Sequence, residues 1–431
     1  MNAREKTELA LAKIADPKGE GARTCLTVYA DAARAAADAA DARAKAGISL
    51  GPLDGAIVSV KDLFDVAGEP TRAGSRILAD APAAKEDAPV VRRLRAAGSV
   101  IVAKTGMSEF AFSGVGMNPH YGTPGNPADR SRAPGGSSSG AAVSVADGMA
   151  VAALGTDTGG SVRIPSAVCG LVGFKPTARR VSMQGVLPLS ANLDSIGPIA
   201  ASVRCCAELD AILSGDAGPL PQALPVRGLR LAIPTTLALD AMDKHVSDTF
   251  AAAVQRLEDA GALIDRIEIP EFAELAAINS KGGFTAAEAW AWHRDLIARA
   301  GKRYDPRVVS RIMRGQDMTA ADYIELLGAR EAWVDAVDHR IAGYDALIMP
   351  TTPIVAPPVA DLQGSDEAYY AANGLILRNP TLINFLDGCA LSLPCHAAGT
   401  APVGLMIAAS NGADRRVLGI GLSVEDLFAA R

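Results

Sequence analysis

The segment 132–177 carries the strongest pattern in the chain and reads RAPGGSSSGAAVSVADGMAVAALGTDTGGSVRIPSAVCGLVGFKPT. It holds two glycine-serine clusters, GGSSSG and GGS, joined by a nearly uncharged segment of small residues. Glycine lets the backbone approach a ligand closely or turn with a positive φ. Backbone N–H groups that no side chain covers suit an anion or a developing oxyanion. The hydroxyls of Ser137, Ser138 and Ser161 are therefore candidate nucleophiles or proton carriers.

Three other interpretations of these clusters fit less well. Linkers and turns are often glycine- and serine-rich, but here the runs AAVSVA and MAVAAL follow and predict a small-residue helix and a short buried strand. A phosphate-binding loop needs G-x-x-x-x-G-K-[ST], and no lysine follows the glycines. The nucleophile elbow G-x-S-x-G matches residues 136–140, but RAPG precedes it where a strand is required.

The composition is that of a globular protein. The chain has 431 residues, of which 49% are hydrophobic and 21% charged, with a formal net charge of −6. Without a dominant basic cluster, nucleic acid is not an expected partner. Apolar runs do not approach the twenty or so residues of a membrane span, and the first residues lack the apolar core of a signal peptide. We therefore predict a cytoplasmic location.

The cysteines and histidines form no pattern typical of a metal or redox site. The six cysteines include no C-x-x-C pair, so reduced thiols are expected. A lone nucleophilic Cys169 remains an alternative, although its surroundings are apolar. The five histidines show no metal-ligand spacing, and none lies in a motif that a Ser-His-Asp hydrolase would need. We predict neither a metal nor another cofactor.

The order of elements predicts an α/β fold. Residues 87–98 predict a helix capped by Asp87, followed by a strand at 99–104. The same order recurs with a helix at 245–261 and a strand at 262–269. Because the sequence contains no strong linker, we expect one large domain spanning residues 1–431.

Two parts of the chain allow more than one interpretation. Lys61 follows an apolar strand, where a lysine either extends to solvent or is buried for a purpose. Residues 271–343 are helical, more charged and hold all three tryptophans. They form either a helical layer on the sheet or a wall of the substrate pocket.

Residues 350–365 predict a surface loop, and 376–408, with Asn379 and Asn384, are expected to be strand-like.

Lys61, Ser137 and Ser161 together resemble the amidase signature family. Ser161 follows Ser137 by 24 residues, as in that family, and GTDTGGSVRIPSAVCGLVGFKPT at 155–177 is a long and specific match. Shorter matches are SVKD at 59–62, MSEFAF at 107–112, NPHYGT at 118–123 and LDSIGP at 193–198. The resemblance is strong over a signature core at about 52–205.

The resemblance implies a fold and a mechanism. The fold is a single α/β domain with a central twisted mixed sheet covered by helices on both faces. The mechanism uses Lys61 as a neutral base, Ser137, after a cis peptide bond, as a proton shuttle and Ser161 as the nucleophile. The oxyanion is expected to be held by the backbone N–H groups of Thr158, Gly159, Gly160 and Ser161.

Supporting residues also follow from the resemblance. Ser138 is expected to hydrogen-bond to Lys61. Asp157 and Arg163 are expected either to be structural, as a buried pair, or to contact the substrate. The pocket is expected to be lined by residues 107–116, by the helices of 271–343 as a specificity region, and by residues near Asn384.

The leading functional hypothesis is a stand-alone amidase that hydrolyses a small-molecule amide, alone or as a homodimer. The alternative enzyme is the glutaminase component of a tRNA-dependent amidotransferase. A third possibility is an inactive binding or scaffold protein on the same fold, against which the intact Lys61, Ser137 and Ser161 argue.

Overall fold

The computed structural model describes residues 1–430 and is built around one mixed sheet of eleven strands in the order β1-β3-β2-β4-β6-β5-β10-β11-β9-β7-β8. The strands are β1 (Cys25–Val28), β2 (Ile57–Lys61), β3 (Val100–Thr105), β4 (Ala152–Asp157), β5 (Val172–Lys175), β6 (Ser195–Ala200), β7 (Arg230–Pro234), β8 (Leu263–Ile267), β9 (Ala346–Pro350), β10 (Cys389–Pro394) and β11 (Gly404–Ala409). Strand β2 runs parallel to β3 and β4, and β7 runs parallel to β8 and β9. All other neighbours are antiparallel. The predicted mixed sheet is confirmed.

Fifteen helices connect and cover the strands within residues 1–430. They are α1 (Ala3–Ala15), α2 (Gly21–Thr24), α3 (Ala30–Lys45), α4 (Pro89–Ala96), α5 (Ser139–Ala146), α6 (Arg163–Cys169), α7 (Val203–Ser214), α8 (Lys244–Asp259), α9 (Glu271–Ile278), α10 (Gly283–Ala300), α11 (Pro306–Met313), α12 (Ala320–Ile341), α13 (Val359–Gly364), α14 (Asp366–Phe385) and α15 (Asp414–Ala429). Short 3₁₀ turns lie at Arg76–Leu78, Glu109–Ala111 and Gly301–Arg303. The region 271–343 is helical, as predicted.

Alternation along β4 shows that helices cover both faces of the sheet. Ala153 packs in a cluster with the buried faces of α5 and α6. Its neighbours Ala152 and Leu154 pack in the main core beneath α7 and α15. Because successive strand residues point to opposite faces, the two clusters lie on opposite sides of β4. Every residue of β4 is buried, as expected for a strand covered on both faces.

The predicted cap of α4 is wrong by one residue. Ala88 is the N-cap and Pro89 occupies the first helical position, which favours proline because its missing N–H needs no partner there. The Asp87 carboxylate instead accepts from the backbone N–H of Ala67 and pairs with Arg95. The helix itself is where the sequence predicted it.

The predictions for 350–365 and 376–408 are wrong in part. Asn379 and Asn384 lie in α14, which contains Pro380 and so lacked the sequence pattern of a helix. Tertiary contacts override that signal, because Asn379 Nδ2 donates to the carbonyls of Ala238 and Pro350. Residues 350–352 are buried, and 359–364 form α13, so the proline-rich segment is not a surface loop throughout.

Across residues 1–430, the structure holds no helix that combines the length and the apolar character needed to cross a bilayer. The six cysteines are free thiols.

Two helical glycines should respond oppositely to the same substitution. A Cβ on Gly140 in α5 would lie 2.7 Å from backbone atoms of Gly106 and Thr24, so Gly140→Ala should destabilise the fold by about 1–3 kcal/mol through overpacking. Gly328 in α12 has nothing within 4 Å of such a Cβ, so Gly328→Ala should stabilise by up to about 1 kcal/mol. Denaturant midpoints measure both. Equal midpoints would contradict this account of the α5 packing.

Candidate active site

Two parallel strand ends bring the site together. Strands β2 and β4 are neighbours, with Val60 opposite Leu154. Their carboxyl ends therefore meet at one edge of the sheet, where Lys61 ends β2 and Asp157 ends β4. The loops that lead into α5 and α6 run along the same edge, and they carry the two glycine-serine clusters. The fold thus places Ser137 of the first cluster beside Lys61, and a backbone hydrogen bond from Ser138 to Ser161 joins the second cluster to the first.

Lys61 is completely buried and contacts two hydroxyl groups. Its Nζ donates to Ser137 Oγ and to Thr156 Oγ1, each at 2.8 Å. Burial lowers the pKa of Lys61 to about 7, although the charges of Asp157 and Asp194 act in the opposite direction. The interpretation of Lys61 as a strand-end lysine that extends to solvent is therefore wrong. Burial therefore gives the amine a substantial neutral fraction near neutral pH.

The loop at Ser137 and Ser138 differs from expectation in one contact. The peptide bond between Gly136 and Ser137 is cis. Ser138 does not hydrogen-bond to Lys61 in the described structure; its Oγ donates to the Thr156 carbonyl at 3.4 Å. Its backbone N–H donates to the carbonyl of Ser161 at 3.3 Å, which ties the two clusters together. Thr156 takes the position next to Lys61 that the sequence analysis assigned to Ser138.

Ser161 faces a cavity of about 520 Å³ and is itself 3% exposed. Of the four predicted oxyanion donors, Gly160 is already engaged, because its N–H donates to Asp157 Oδ1 at 2.8 Å. Within residues 1–430, no acceptor is found for the N–H groups of Thr158, Gly159 and Ser161. The N–H groups of these three residues are therefore available to donate to a ligand, whereas the N–H of Gly160 is not.

Asp157 and Arg163 form the buried pair that the resemblance implied. Both side chains are inaccessible, with Arg163 Nη2 at 2.9 Å from Asp157 Oδ1. Burial alone would raise the pKa of Asp157, but the charges of Arg163 and Lys175 and a hydrogen bond from Asn384 hold it below its usual range. Neither member of the pair lines the cavity. The pair instead supports the backbone of the loop that carries Ser161, on the side away from the cavity.

Asp194 is a residue that the sequence analysis missed. Its Oδ1 accepts from Thr158 Oγ1 at 2.5 Å, and its Oδ2 accepts from the N–H groups of Leu189 and Ser190. Burial raises the pKa of Asp194 to about 6 despite these hydrogen bonds. It lies in the matched stretch LDSIGP, which was the available signal. The carboxylate thus fixes the side chain of Thr158, at the start of the loop that leads to Ser161.

The cavity is lined by parts of all three predicted regions. The segments 111–113 and 275–314 contribute, as expected. Asn384 does not, because its side chain faces Asp157 and Arg163. Residues near Asn384 do line the cavity, as predicted, and this wall extends along α14 from Asn373 to Phe385. Because Pro380 lies inside this segment, the sequence did not predict a helix here.

Cys169 is not part of this site. Its Sγ donates to the Pro134 carbonyl, and burial raises the pKa of the thiol far above its usual range. Cysteine nucleophiles need a stabilised thiolate. The alternative of a cysteine nucleophile is therefore wrong.

The buried pair provides a stability test. Arg163→Met leaves the Asp157 carboxylate buried without its partner and should lower the free energy of unfolding by about 3–5 kcal/mol. The double variant Arg163→Met/Asp157→Asn removes the unpaired charge and should recover part of the loss. Denaturant midpoints measure both, with Arg92→Met at the exposed Arg92–Glu86 pair as control. A midpoint for Arg163→Met equal to that of the control would contradict the importance of the buried pair.

Known proteins show the same architecture and much of the same sequence. The amidase family model matches residues 5–418. A 2-amino-5-chloromuconic acid deaminase from Comamonas testosteroni is 39% identical over 92% of this chain and 86% of its own length. One component of a glutamyl-tRNA(Gln) amidotransferase, from Chloroflexus aurantiacus, is 36% identical over 94% of this chain and 89% of its own. A crystal structure of an amidase, 33% identical, superposes with a TM-score of 0.88 over 99% of this chain and 96% of that one. The chain therefore belongs to the amidase family.

Proposed function

We propose that this amide hydrolase works through an acyl-enzyme on Ser161, with Lys61 as base and Ser137 as proton shuttle. The observation that supports this most is the environment of Lys61, a fully buried amine with a pKa of about 7 and a 2.8 Å contact to Ser137. A serine hydroxyl needs a base to become nucleophilic at neutral pH. A neutral lysine amine in hydrogen-bond contact with the shuttle meets that need.

The proton path balances in both half-reactions. Lys61 Nζ accepts the proton of Ser137 Oγ as Ser137 accepts the proton of Ser161, and Ser161 Oγ bonds to the amide carbon. The same path in reverse delivers a proton to the amide nitrogen, the C–N bond breaks, and ammonia or an amine leaves. Water then attacks the ester carbon by the same relay, and Ser161 is regenerated with release of the carboxylate.

The loop geometry supports stabilisation of the tetrahedral intermediate. The free N–H groups of Thr158, Gly159 and Ser161 lie beside the nucleophile, where the oxyanion would form. One such preorganised donor typically contributes about 3 kcal/mol. Asp194 holds the Thr158 side chain, so the first of these amides is fixed before substrate binds.

The glutaminase component of an amidotransferase is the second candidate. The relative from Chloroflexus aurantiacus is named as part of a glutamyl-tRNA(Gln) amidotransferase and matches 94% of this chain. Ammonia release from a panel of aliphatic, aryl and amino-acid amides separates the two proposals. Turnover by the purified chain alone supports a stand-alone amidase. Turnover restricted to glutamine and dependent on an added partner supports the amidotransferase component.

Removal of the nucleophile should abolish both turnover and labelling. We expect Ser161→Ala to release no ammonia and to lose reaction with a fluorophosphonate probe, because the probe bonds to the activated serine oxygen. Ser113 lines the same cavity, so Ser113→Ala is the matched control and should keep the label. Full amide turnover by Ser161→Ala would refute the mechanism.

Activity should fall on the acid side as Lys61 takes up a proton. Below a pH of about 7 the ammonium cannot accept a proton, so kcat/KM should rise with pH up to that value and then level off. Lys61→Met should abolish turnover at every pH. Initial-rate profiles of kcat/KM between pH 5 and 9 test this.

Thr156→Val distinguishes Lys61 from Asp194, whose pKa of about 6 also falls in this range. Loss of the Thr156 hydroxyl removes an acceptor that favours the ammonium, so the pKa of Lys61 should drop and the acid limb should move to lower pH. Thr7→Val, at a buried threonine of α1, should leave the limb in place. A limb that does not move in Thr156→Val would count against Lys61 as the titrating base.

A further inference from the structure

The charged side chains along the Ser161 cavity are all positive. Arg311, Arg314 and Arg378 line it, and within residues 1–430 no aspartate, glutamate or lysine does so. Much of the remaining lining is apolar, including Leu189, Leu275, Phe284 and Leu377. An apolar cavity with only cationic charges favours a ligand that carries an apolar part and an anion.

Arg311 of α11 is half-buried without a carboxylate partner in the described structure. Its guanidinium lies over the rings of Phe112 and Tyr369, at 5.3 and 5.9 Å from their centroids. Its Nε donates to the Arg307 carbonyl, and its Nη2 contacts the Tyr369 hydroxyl at 3.4 Å. None of the ion pairs within residues 1–430 includes Arg311, and Asp366 pairs with the neighbouring Arg307 instead. Its Nη1 has no protein partner within residues 1–430, so a cation fixed by aromatic rings keeps donors for a ligand.

Arg378 of α14 has the same property at another point of the wall. Its Nε donates to Asn379 Oδ1 and its Nη2 to the Ala238 carbonyl. Burial lowers the pKa of this guanidinium. The negative charge of Asp240 opposes that shift, but Asp240 is too far away to form an ion pair with Arg378. Nη1 of Arg378 is likewise without an acceptor inside the described chain. A half-buried guanidinium that forms only neutral contacts is incompletely compensated.

The position of α14 relates Arg378 to the reacting atoms. A Cβ added to Gly159 would lie 3.3 Å from Thr381 Oγ1 and 3.5 Å from Leu377 Cδ2. The turn of α14 that carries Arg378 therefore packs directly on the loop that carries Gly159 and Ser161. A ligand bound by this arginine would lie within the same cavity as Ser161.

We propose that the substrate is the amide of a carboxylate-bearing acid, and that Arg378 binds this carboxylate while the amide faces Ser161, with Arg311 adding positive charge at another point of the same cavity. The inference rests on the proposed amidase function and adds the class of substrate to it. Guanidinium groups bind carboxylates with paired N–H···O hydrogen bonds, which are strong where water is partly excluded. The apolar lining would hold the chain between the two ends of the substrate.

The kinetic test compares matched amides. The ω-monoamides of linear dicarboxylic acids with four to eight carbons are measured against alkyl amides of equal length. We expect kcat/KM to be at least about tenfold higher for the acid monoamides. Arg378→Gln should reduce that preference about tenfold or more, Arg311→Gln should reduce it to a smaller extent, and both should leave the alkyl amides nearly unchanged.

Arg307→Gln is the matched control variant. Arg307 lies one turn before Arg311 on α11 and over the same Tyr369 ring at 4.3 Å, but it is paired with Asp366 and does not line the cavity. It should keep the preference of the wild type. If Arg307→Gln loses the preference as strongly as Arg311→Gln, the effect is one of α11 packing and the proposal is wrong.

Ligand binding separates this proposal from the catalytic one. Calorimetry with Ser161→Ala and a linear dicarboxylate should show binding that Arg378→Gln weakens about tenfold or more and Arg311→Gln weakens to a smaller extent. Ser161-dependent turnover with no preference for acid monoamides would overturn the carboxylate site and leave the amidase function intact. Arginine-dependent binding in an enzyme without amide turnover would support the site and overturn the catalytic proposal. Absence of both would overturn both.

Discussion

The Asp157 carboxylate is the group on which the geometry of the site depends. It accepts the backbone N–H groups of Gly160 and Val162 and the guanidinium of Arg163, all in a region closed to solvent. The loop that carries Ser161 therefore wraps around a fixed negative charge at the end of β4. Because each acceptor position is occupied, the loop has few alternative conformations of similar energy. The same charge opposes the effect of burial on Lys61, so it also helps to set the pKa of that amine.

The environment of Lys61 is distinct from those of the other buried lysines. Lys104 lies 3.5 Å from Asp62, and Lys175 donates to two backbone carbonyls. Lys61 contacts only the hydroxyls of Ser137 and Thr156 within hydrogen-bond distance. Hydroxyl groups stabilise an ammonium less than a carboxylate does, and they can themselves donate to a neutral amine. This arrangement favours an amine that exchanges protons over one that serves as a permanent cation.

Sequence reasoning identified the family and its motifs better than it predicted the structure around them. Lys61, Ser137 and Ser161 stand in specific motifs, and the order of helices and strands indicated the α/β class. Thr156 could not be assigned to Lys61 because their contact depends on β2 and β4 being neighbours, which no local pattern shows. The middle of α14 was missed because a proline inside a helix is rare, and only tertiary hydrogen bonds explain why this helix continues. The cavity arginines lie in segments without any motif.

Helix α14 forms a wall of the cavity and also contacts the loop that carries Ser161. Asn384 near its end hydrogen-bonds to Asp157 and Arg163, so the helix is tied to the buried charges beside the loop that carries Ser161. Near its middle, the Pro380 ring would meet any side chain placed on Gly160, which keeps that loop position open only to glycine. Arg378 lines the cavity from this same helix. Its backbone is therefore held by the contacts that α14 makes with the loop at Gly159 and Gly160. A change of substrate preference made through α14 must therefore preserve the contacts of Pro380 and Asn384, because a shift of the helix would move the nucleophile loop with it.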